Sequence, residues 1–359
     1  MRRTESATPA IGVLTAGALD GIGDVAGVSV GHTTLDDGAI QTGVTVIRPH
    51  DGDVYCDKVP AAVCVINGFG KSVGLMQIQE LGVLETPIGL TNTFGVSAVS
   101  EAQIRSAIDA NPEIGRSGPT LNPLVLECND GYLNDLHAFA VTAEHYRSAL
   151  SKARPEFERG AVGAGRGMSA FDLKGGIGSS SRIVHVSGER FTVGALVLAN
   201  FGRLAMLSIA GVPIGRLLAR RLGDGIPLPD APERGSIIML IATDAPLSDR
   251  QLGRMARRAA AGLARTGSVY GHGSGDIALA FSTGYTVAHD ASRIALPALI
   301  ADAALDPLFA AAAESVEQAI VDALWQAVPV AGRDSHVRRA LRDVVADLET
   351  LLRACAPSL

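Results

Sequence analysis

Aromatic side chains are scarce in this sequence: Phe, Trp and Tyr make up 4% of its 359 residues. A core with so few rings must be filled by Ala, Val, Leu and Ile, with backbones drawn close at glycine. Basic charge is also in short supply. Lys plus Arg total 31 against 37 Asp plus Glu, a formal net charge of −6. A chain that grips a nucleic-acid backbone carries a concentrated positive face. Nucleic acid is therefore not an expected partner, and neither is an anionic membrane surface. No run of about 18 uncharged apolar residues occurs, so no bilayer span is expected. Residues 4–10, after Arg2 and Arg3, are polar or small, and no signal-peptide apolar region follows. The four cysteines, Cys56, Cys64, Cys128 and Cys355, match no zinc spacing, and the histidines include no H-E-x-x-H. Such scattered cysteines read as ordinary thiols in a reducing compartment, the cytoplasm.

Hydrophobic residues are 47% and charged residues 19%, which excludes general disorder. The length admits two domains or one large α/β domain. Short apolar runs at 61–66, 191–199, 236–242 and 276–282 read as strands covered on both faces. Helical patterns alternate with them, so the chain predicts a layered α/β fold. Ser100 with Gln103 predicts a capping box. Ser248 predicts a helix start, with Gly267 to close that helix. Asp306-Pro307 predicts another start. Val337, Leu341, Val344, Leu348 and Leu351 predict a last helix.

One segment stands apart. Residues 223–235 contain three prolines and three glycines and can be neither helix nor central strand. Composition alone reads it as a linker. The sharper reading is a processing loop, since it stops at Gly235-Ser236 directly before an apolar strand. Three other motifs fall short. Residues 68–72 (GFGKS) lie where a phosphate loop would, but that loop needs Gly at position 65, which is Val65. The glycines at 160, 163, 165 and 167 mimic a dinucleotide fingerprint, but its third glycine falls on Met168. His272 beside Ser274 and Asp276 suggests a relay, yet relays are assembled from distant segments. His272 therefore reads as a loop residue near the site.

Several longer segments share one resemblance. They are DVAGVSVGHTTL at 24–35, INGFGKSVGLMQIQELGVLETPIGLTNT at 66–93, ECNDGYLND at 127–135 and GAVGAGRGM at 160–168. KGGIGSSSRIV at 174–184, LANFG at 198–202, Gly235-Ser236 with the strand after it, and LARTGSVYGHGSGDIALAFST at 263–283 complete the set. In this order they resemble the self-cleaving serine aminopeptidases, the L-aminopeptidase/D-alanine esterase-amidases and β-peptidyl aminopeptidases. The resemblance runs from about residue 20 to 290, and residues past 290 add little to it. It implies a four-layer α/β/β/α sandwich, similar in layers to the N-terminal-nucleophile hydrolases but with different strand connectivity. It also implies one globular unit that splits into residues 1–235 and 236–359, and homo-oligomers of such processed units.

The chemistry of the matching residues agrees. A serine hydroxyl is a weak nucleophile until a base takes its proton. Cleavage before Ser236 would give it an α-amine, whose ordinary pKa of roughly 7.7–8.0 suits a base at neutral pH. Glycine at 235 leaves the attacked carbonyl unshielded. By resemblance, Ser274 is a second serine near the nucleophile and Asp276 an acidic residue that orients it. Some β-peptide-cleaving relatives carry glutamate where Asp276 stands. Tyr132 and Asn200 fall on donors to the tetrahedral oxyanion, a role that suits a phenol and an amide N–H. Glu127 and Asp130 are candidates to pair with the substrate's ammonium, or else to satisfy loop N–H groups.

The expected activity is hydrolysis of short peptides, amides or esters with a free N-terminal amine, without metal or organic cofactor. Two alternatives stay open. One is an acyltransferase similar to the ornithine acetyltransferases, which use Thr where Ser236 stands. The other is a non-enzymatic nucleotide-binding protein using GFGKS. Because no ligand cluster has metal spacing, chelation should leave activity unchanged. Loss of activity in EDTA, restored by a divalent ion, would contradict this.

Overall fold

The computed structural model describes residues 8–222, 234–345 and 347–355. The Pro/Gly stretch singled out above lies outside them at 223–233. Nine longer strands carry the described architecture: β1 (Ser29–Asp37), β2 (Ile40–Arg48), β3 (Asp57–Gly68), β4 (Ile88–Asn92), β5 (Leu124–Cys128), β6 (Gly176–Val186), β7 (Glu189–Asn200), β8 (Arg234–Thr243) and β9 (Gly273–Ser282). The helices used below are α1 (Leu75–Leu81), α2 (Val96–Ala110), α3 (Ala143–Ser151), α4 (Gly215–Arg221), α5 (Asp249–Ala256), α6 (Ala259–Arg265) and α7 (Asp306–Trp325).

One sheet has the order β1-β2-β4-β5. The other has the order β3-β9-β8-β7-β6, with short strands Val83–Leu84 and Val287–Ala288 on β3. All four apolar runs lie in this second sheet. The runs on β7, β8 and β9 are buried on both faces, so their continuous apolarity is explained, whereas the run on β3 is part-exposed, with Val65 open to solvent. Ile238, Leu240, Leu196, Leu198, Ile277 and Leu279 pack against Ile88, Leu90, Leu124 and Leu126 of the first sheet. Ile237, Met239, Ile241, Ala278 and Ala280 face the other way, onto residues of α4 to α7. On the far side, Val99 and Ala102 of α2 and Tyr146 and Ala149 of α3 cover Val44, Val46 and Val125. The layers are α/β/β/α.

Several helix boundaries differ from the pattern. Asn92 accepts from the Gly95 N–H at 2.7 Å and turns the chain early, so α2 begins at Val96. Ser100 lies inside α2 and donates back to the Val96 carbonyl, instead of capping. Ser248 does cap α5, with Gln251 completing the reciprocal bonds. The helix expected from there to Gly267 is two helices, broken between Ala256 and Ala259. Asp306 is the first residue of α7, and Leu305 stands at its cap position. Val337 is in a short strand, and the stripe after it divides into Leu341–Val344 and Leu348–Cys355.

Helix α7 is buried along most of its length, charged residues included. Glu314 accepts from the Val13 and Leu14 N–H groups and from Arg182 Nε at 2.6 Å. Arg182 is 2% exposed. Its other nitrogens donate to the Ile11 carbonyl, the Ser180 hydroxyl and Asp20. Asp322, further along α7, takes the Ser179 N–H and Arg159. One helix therefore pins both the N-terminal arm and β6. Removing one partner of a buried pair leaves an uncompensated charge, which costs about 3–5 kcal/mol. Glu314→Ala should lose stability of that order in urea unfolding, and a change below about 1 kcal/mol would show that Asp20 or solvent compensates Arg182 instead.

Candidate active site

Ser236 is the third residue of β8, the strand between β7 and β9. Its pairing partners are Asn200 on β7 and Gly275 on β9. Residues opposed in a ladder share a face. Ser236 and Asn200 thus present their side chains toward the first sheet, the same side as Ile238 and Leu198. Ser274 and Asp276 alternate to the other face, at the register of Gly235 and Ile237.

Gly235 cannot be replaced without strain. Its φ is +153°, and a Cβ there would stand 2.2 Å from the Asn200 carbonyl oxygen. The backbone it adopts brings the Ser236 hydroxyl within 2.7 Å of the Gly235 carbonyl oxygen, to which it donates. The Gly275 N–H donates to the same hydroxyl at 3.2 Å. Gly275 has its own steric reason. A methyl group there would stand 2.7 Å from the Phe69 carbonyl oxygen and 3.1 Å from Ser236 Oγ. The GFGKS turn therefore lies over Gly275 on β9, beside Ser236.

That turn also reaches Glu127 on β5. Glu127 accepts from the Lys71 N–H at 2.8 Å and from the Thr93 hydroxyl at 2.5 Å. The open side of Gly70 faces Glu127 Oε1 at 3.6 Å and the Gly275 Cα at 3.9 Å. Gly70 thus stands close to both Glu127 and Gly275, the strand neighbour of Ser236. Lys71 and Thr93 line an open cleft of about 620 Å³, with Phe94 and Phe139 stacked 5.4 Å apart on its rim. A turn whose N–H already serves a carboxylate repels phosphate, so the nucleotide alternative is not favoured. The other glycine-rich turn, Gly163–Gly165, is buried; its Gly163 and Ala164 N–H groups go to the hydroxyls of Thr34 and Thr45, and its Gly165 N–H to the Val162 carbonyl.

Ser274 donates to Asp276 Oδ1 at 2.5 Å, and both are buried. Asn67, at the end of β3, binds the carbonyls of Gly271, His272 and Ser274 and fixes the turn into β9. His272 lies in this loop, its ring 6.1 Å from Phe69. Asn200 accepts from the Ser169 N–H at 2.8 Å and donates to the Asn129 carbonyl at 2.9 Å. The fully buried Lys174 ammonium donates to the carbonyls of Gly165, Met168 and Gly175 and so closes the loop that carries Ser169. Burial pushes that ammonium well below its usual range. Tyr132 is partly exposed and stacks on His336.

Asp130 is fully buried and bonded to Asn134. Burial pushes its carboxyl up to about 7, against hydrogen bonds from Thr42, Asn134 and Asn92. Sequence patterns assign nothing to Gly275, Asn67, Ser169 or Lys174. Only the glycine in GSGD offers a signal, because a side chain missing between two polar ones marks a close approach. Among the described residues, no three His, Cys, Asp or Glu gather as a metal site.

A model of peptidase family S58 matches residues 20–338. The chain belongs to that family. The match passes residue 290, so residues 290–338 are part of the family's pattern too. Among curated relatives, the β-peptidyl aminopeptidase BapA of Sphingosinicella xenopeptidilytica is 41% identical over 342 residues, 89% of this chain and 84% of that protein. Among solved structures, the PH0078 protein from Pyrococcus horikoshii OT3 has a TM-score of 0.90 at 48% identity, covering 96% of this chain and 97% of that one. The L-aminopeptidase D-Ala-esterase/amidase from Ochrobactrum anthropi, described as a variant of the Ntn hydrolase fold, has a TM-score of 0.84 at 34% identity. It covers 94% of this chain and 96% of that one. This S58 member has the same layered fold and is a hydrolase of the serine aminopeptidase kind.

Asp130 gives the site a pH signature. A carboxyl raised from 3.8 to about 7 holds its proton more tightly in the folded chain. Its contribution to stability is full below about pH 4 and is lost as pH rises through about 7. The stability difference between Asp130→Asn and the parent should therefore move toward the variant between about pH 5 and 8, by more than about 1 kcal/mol. Paired urea titrations at the two pH values measure this; parallel behaviour would place the Asp130 pKa near its ordinary value.

Proposed function

We propose that the chain is a self-processing aminopeptidase that acts on short peptides, amides or esters with a free N-terminal amine, through an acyl-enzyme on Ser236. The observation that carries this is the Ser236 hydroxyl, held at the Gly235 carbonyl with the Gly275 N–H on its oxygen. In processing, Ser236 Oγ attacks the Gly235 carbonyl carbon. The C–N bond then breaks and the nitrogen takes the proton, leaving an ester on Oγ and a free α-amine. Water hydrolyses the ester, giving a Gly235 carboxylate and restoring the hydroxyl. In turnover the α-amine takes the hydroxyl proton as Oγ attacks the substrate carbonyl, and returns it to the leaving amine.

Asn200, opposite Ser236, and Tyr132 supply neutral donors to the oxyanion. Ser274 and Asp276 bracket Ser236 on the face away from its hydroxyl. A bonded pair so placed orients charge at the new α-amine instead of taking the hydroxyl proton. Glu127, beside the cleft and close to the Ser236 strand, is our choice for the substrate's ammonium. Asp130, buried and inclined to stay protonated, supports the loop between Glu127 and Tyr132 instead. The β-peptidyl aminopeptidase relatives make β-peptides a substrate class to assay beside L- and D-aminoacyl amides. We further propose a cytoplasmic homo-oligomer of processed units, on the cysteine pattern and the family resemblance.

The test is intact mass under denaturing conditions, with activity on amino-acid p-nitroanilides. The parent should give two pieces, beginning at Met1 and Ser236, and should be active. Ser236→Ala should remain one chain and be inactive. A fully active parent with Met1 as its sole N-terminus would refute the mechanism.

A further inference from the structure

The segment Val330–Arg338 lies far along the chain from the loop that holds Tyr132, yet the two are joined at several points. Val330–Ala331 and Val337–Arg338 pair as a small hairpin. Arg333 donates to the Gly131 carbonyl at 2.6 Å through its side chain and to the Leu133 carbonyl at 2.8 Å through its N–H. His336 Nδ1 donates to the Tyr132 carbonyl at 2.8 Å, and its ring stacks on Tyr132 at 4.5 Å and 6°. The Arg338 guanidinium carbon stands 3.7 Å from the centre of the same Tyr132 ring. Two planar groups of this size cannot share one face at those distances, so the phenol is held between them.

Arg338 makes a second contact. Its Nε donates to the Ser169 hydroxyl at 3.1 Å. The Ser169 N–H is the group that holds Asn200 Oδ1 at 2.8 Å. One half-buried guanidinium therefore touches Tyr132 by its face and the support of Asn200 by its edge. Arginine can do both at once because its charge is planar and its donors lie in the plane. A lysine ammonium can sit over the ring but has no flat edge to place.

We propose that Arg338 is a positioning residue for the oxyanion site, fixing Tyr132 by stacking and Asn200 through Ser169, so that both donors address the carbonyl at Ser236. This rests on the reading of Tyr132 and Asn200 as oxyanion donors. Arg338 touches neither substrate nor Ser236, and it acts through the other two. It also joins the residues that follow the Gly235-Ser236 bond to those that precede it. On this view the oxyanion site is complete only when both parts of the chain are in place.

The experiment is steady-state kinetics on processed enzyme for Arg338→Ala and Arg338→Lys, each alone and in an Asn200→Ala background. Asn200→Ala alone should lower kcat by about 10²–10³. Arg338→Ala should lower kcat about tenfold with KM within about twofold, since oriented donors act on the transition state. Its melting temperature should stay within about 3 °C of the parent. Arg338→Lys should fall between the two. In the Asn200→Ala background, Arg338→Ala should cost less than about threefold, because part of its effect is already gone. A parental kcat in Arg338→Ala, with Asn200→Ala impaired, overturns the proposal. So does a full tenfold loss in both backgrounds. If Arg338→Ala does not fold, Arg338→Lys and Ser169→Ala carry the same cycle. A parental rate in Asn200→Ala is a different result: it removes the donor reading, and Arg338 with it.

Discussion

The register of strand β8 is the constraint on which the site depends. Ser236 must fall opposite Asn200 on one neighbour and Gly275 on the other. Apolar pattern alone does not set this, because β8 is apolar on both faces and a one-residue slip would still bury isoleucine and leucine. The ends set it. At the far end, Thr243 donates to the Thr192 carbonyl, and the Thr192 N–H goes to Asp244. At the near end, Gly235 fits against the Asn200 carbonyl, where no side chain would. A slip would bring a Cβ into that contact and leave buried polar groups unpaired, each costing about 1–3 kcal/mol. Polar groups at the edges of an apolar strand thus decide where Ser236 sits.

The same sheet explains how a chain divided at Gly235-Ser236 would hold together. Strand β9 and β8 from Ser236 onward lie after that bond, and β3, β7 and β6 lie before it. In the order β3-β9-β8-β7-β6 the two strands of the second part are therefore held between β3 and β7 of the first. Helix α7, also after the bond, pins β6 and the N-terminal arm through Glu314, Gln318 and Asp322. The cores on both faces of this sheet draw residues from both parts. A molecule divided there would lose one peptide bond and could keep the strand pairings that join the two parts.

Much of this could be read from the sequence, for a physical reason. Continuous apolar runs announced the buried strands because burial on two faces admits no polar alternation. Ser236 is singled out by the family resemblance, and the Pro/Gly stretch that ends at Gly235-Ser236 adds to it. Helix limits were read less well. Ser100 had the composition of a cap, but Asn92 had already turned the chain, and a serine one turn into a helix satisfies itself on the carbonyl behind it. The supporting residues were hidden for another reason. Ser169, Asn67 and Arg338 act by bonds to backbone and ring atoms of distant segments, and such bonds leave no periodicity. Residues past 290 carry little of the motif resemblance, yet they include the hairpin that holds Tyr132.

The face on which each polar group stands bears on the chemistry. Ser236 presents its hydroxyl toward the first sheet, together with Asn200, while Ser274 and Asp276 lie on the helix side of the strand. A base acting on the hydroxyl directly would need to share its face. The group that lies at the boundary of both faces is the backbone nitrogen of Ser236, in the plane of the sheet. Before cleavage that nitrogen is an amide and no base. After cleavage it is an amine that the hydroxyl reaches within its own residue and the bonded pair can approach from behind. On the proposed scheme cleavage therefore does two things in one event. It turns the nitrogen into the base, and it frees the Gly235 carbonyl from the position a substrate carbonyl must take. A Ser236 hydroxyl held 2.7 Å from the Gly235 carbonyl oxygen can attack no substrate carbonyl until that oxygen leaves.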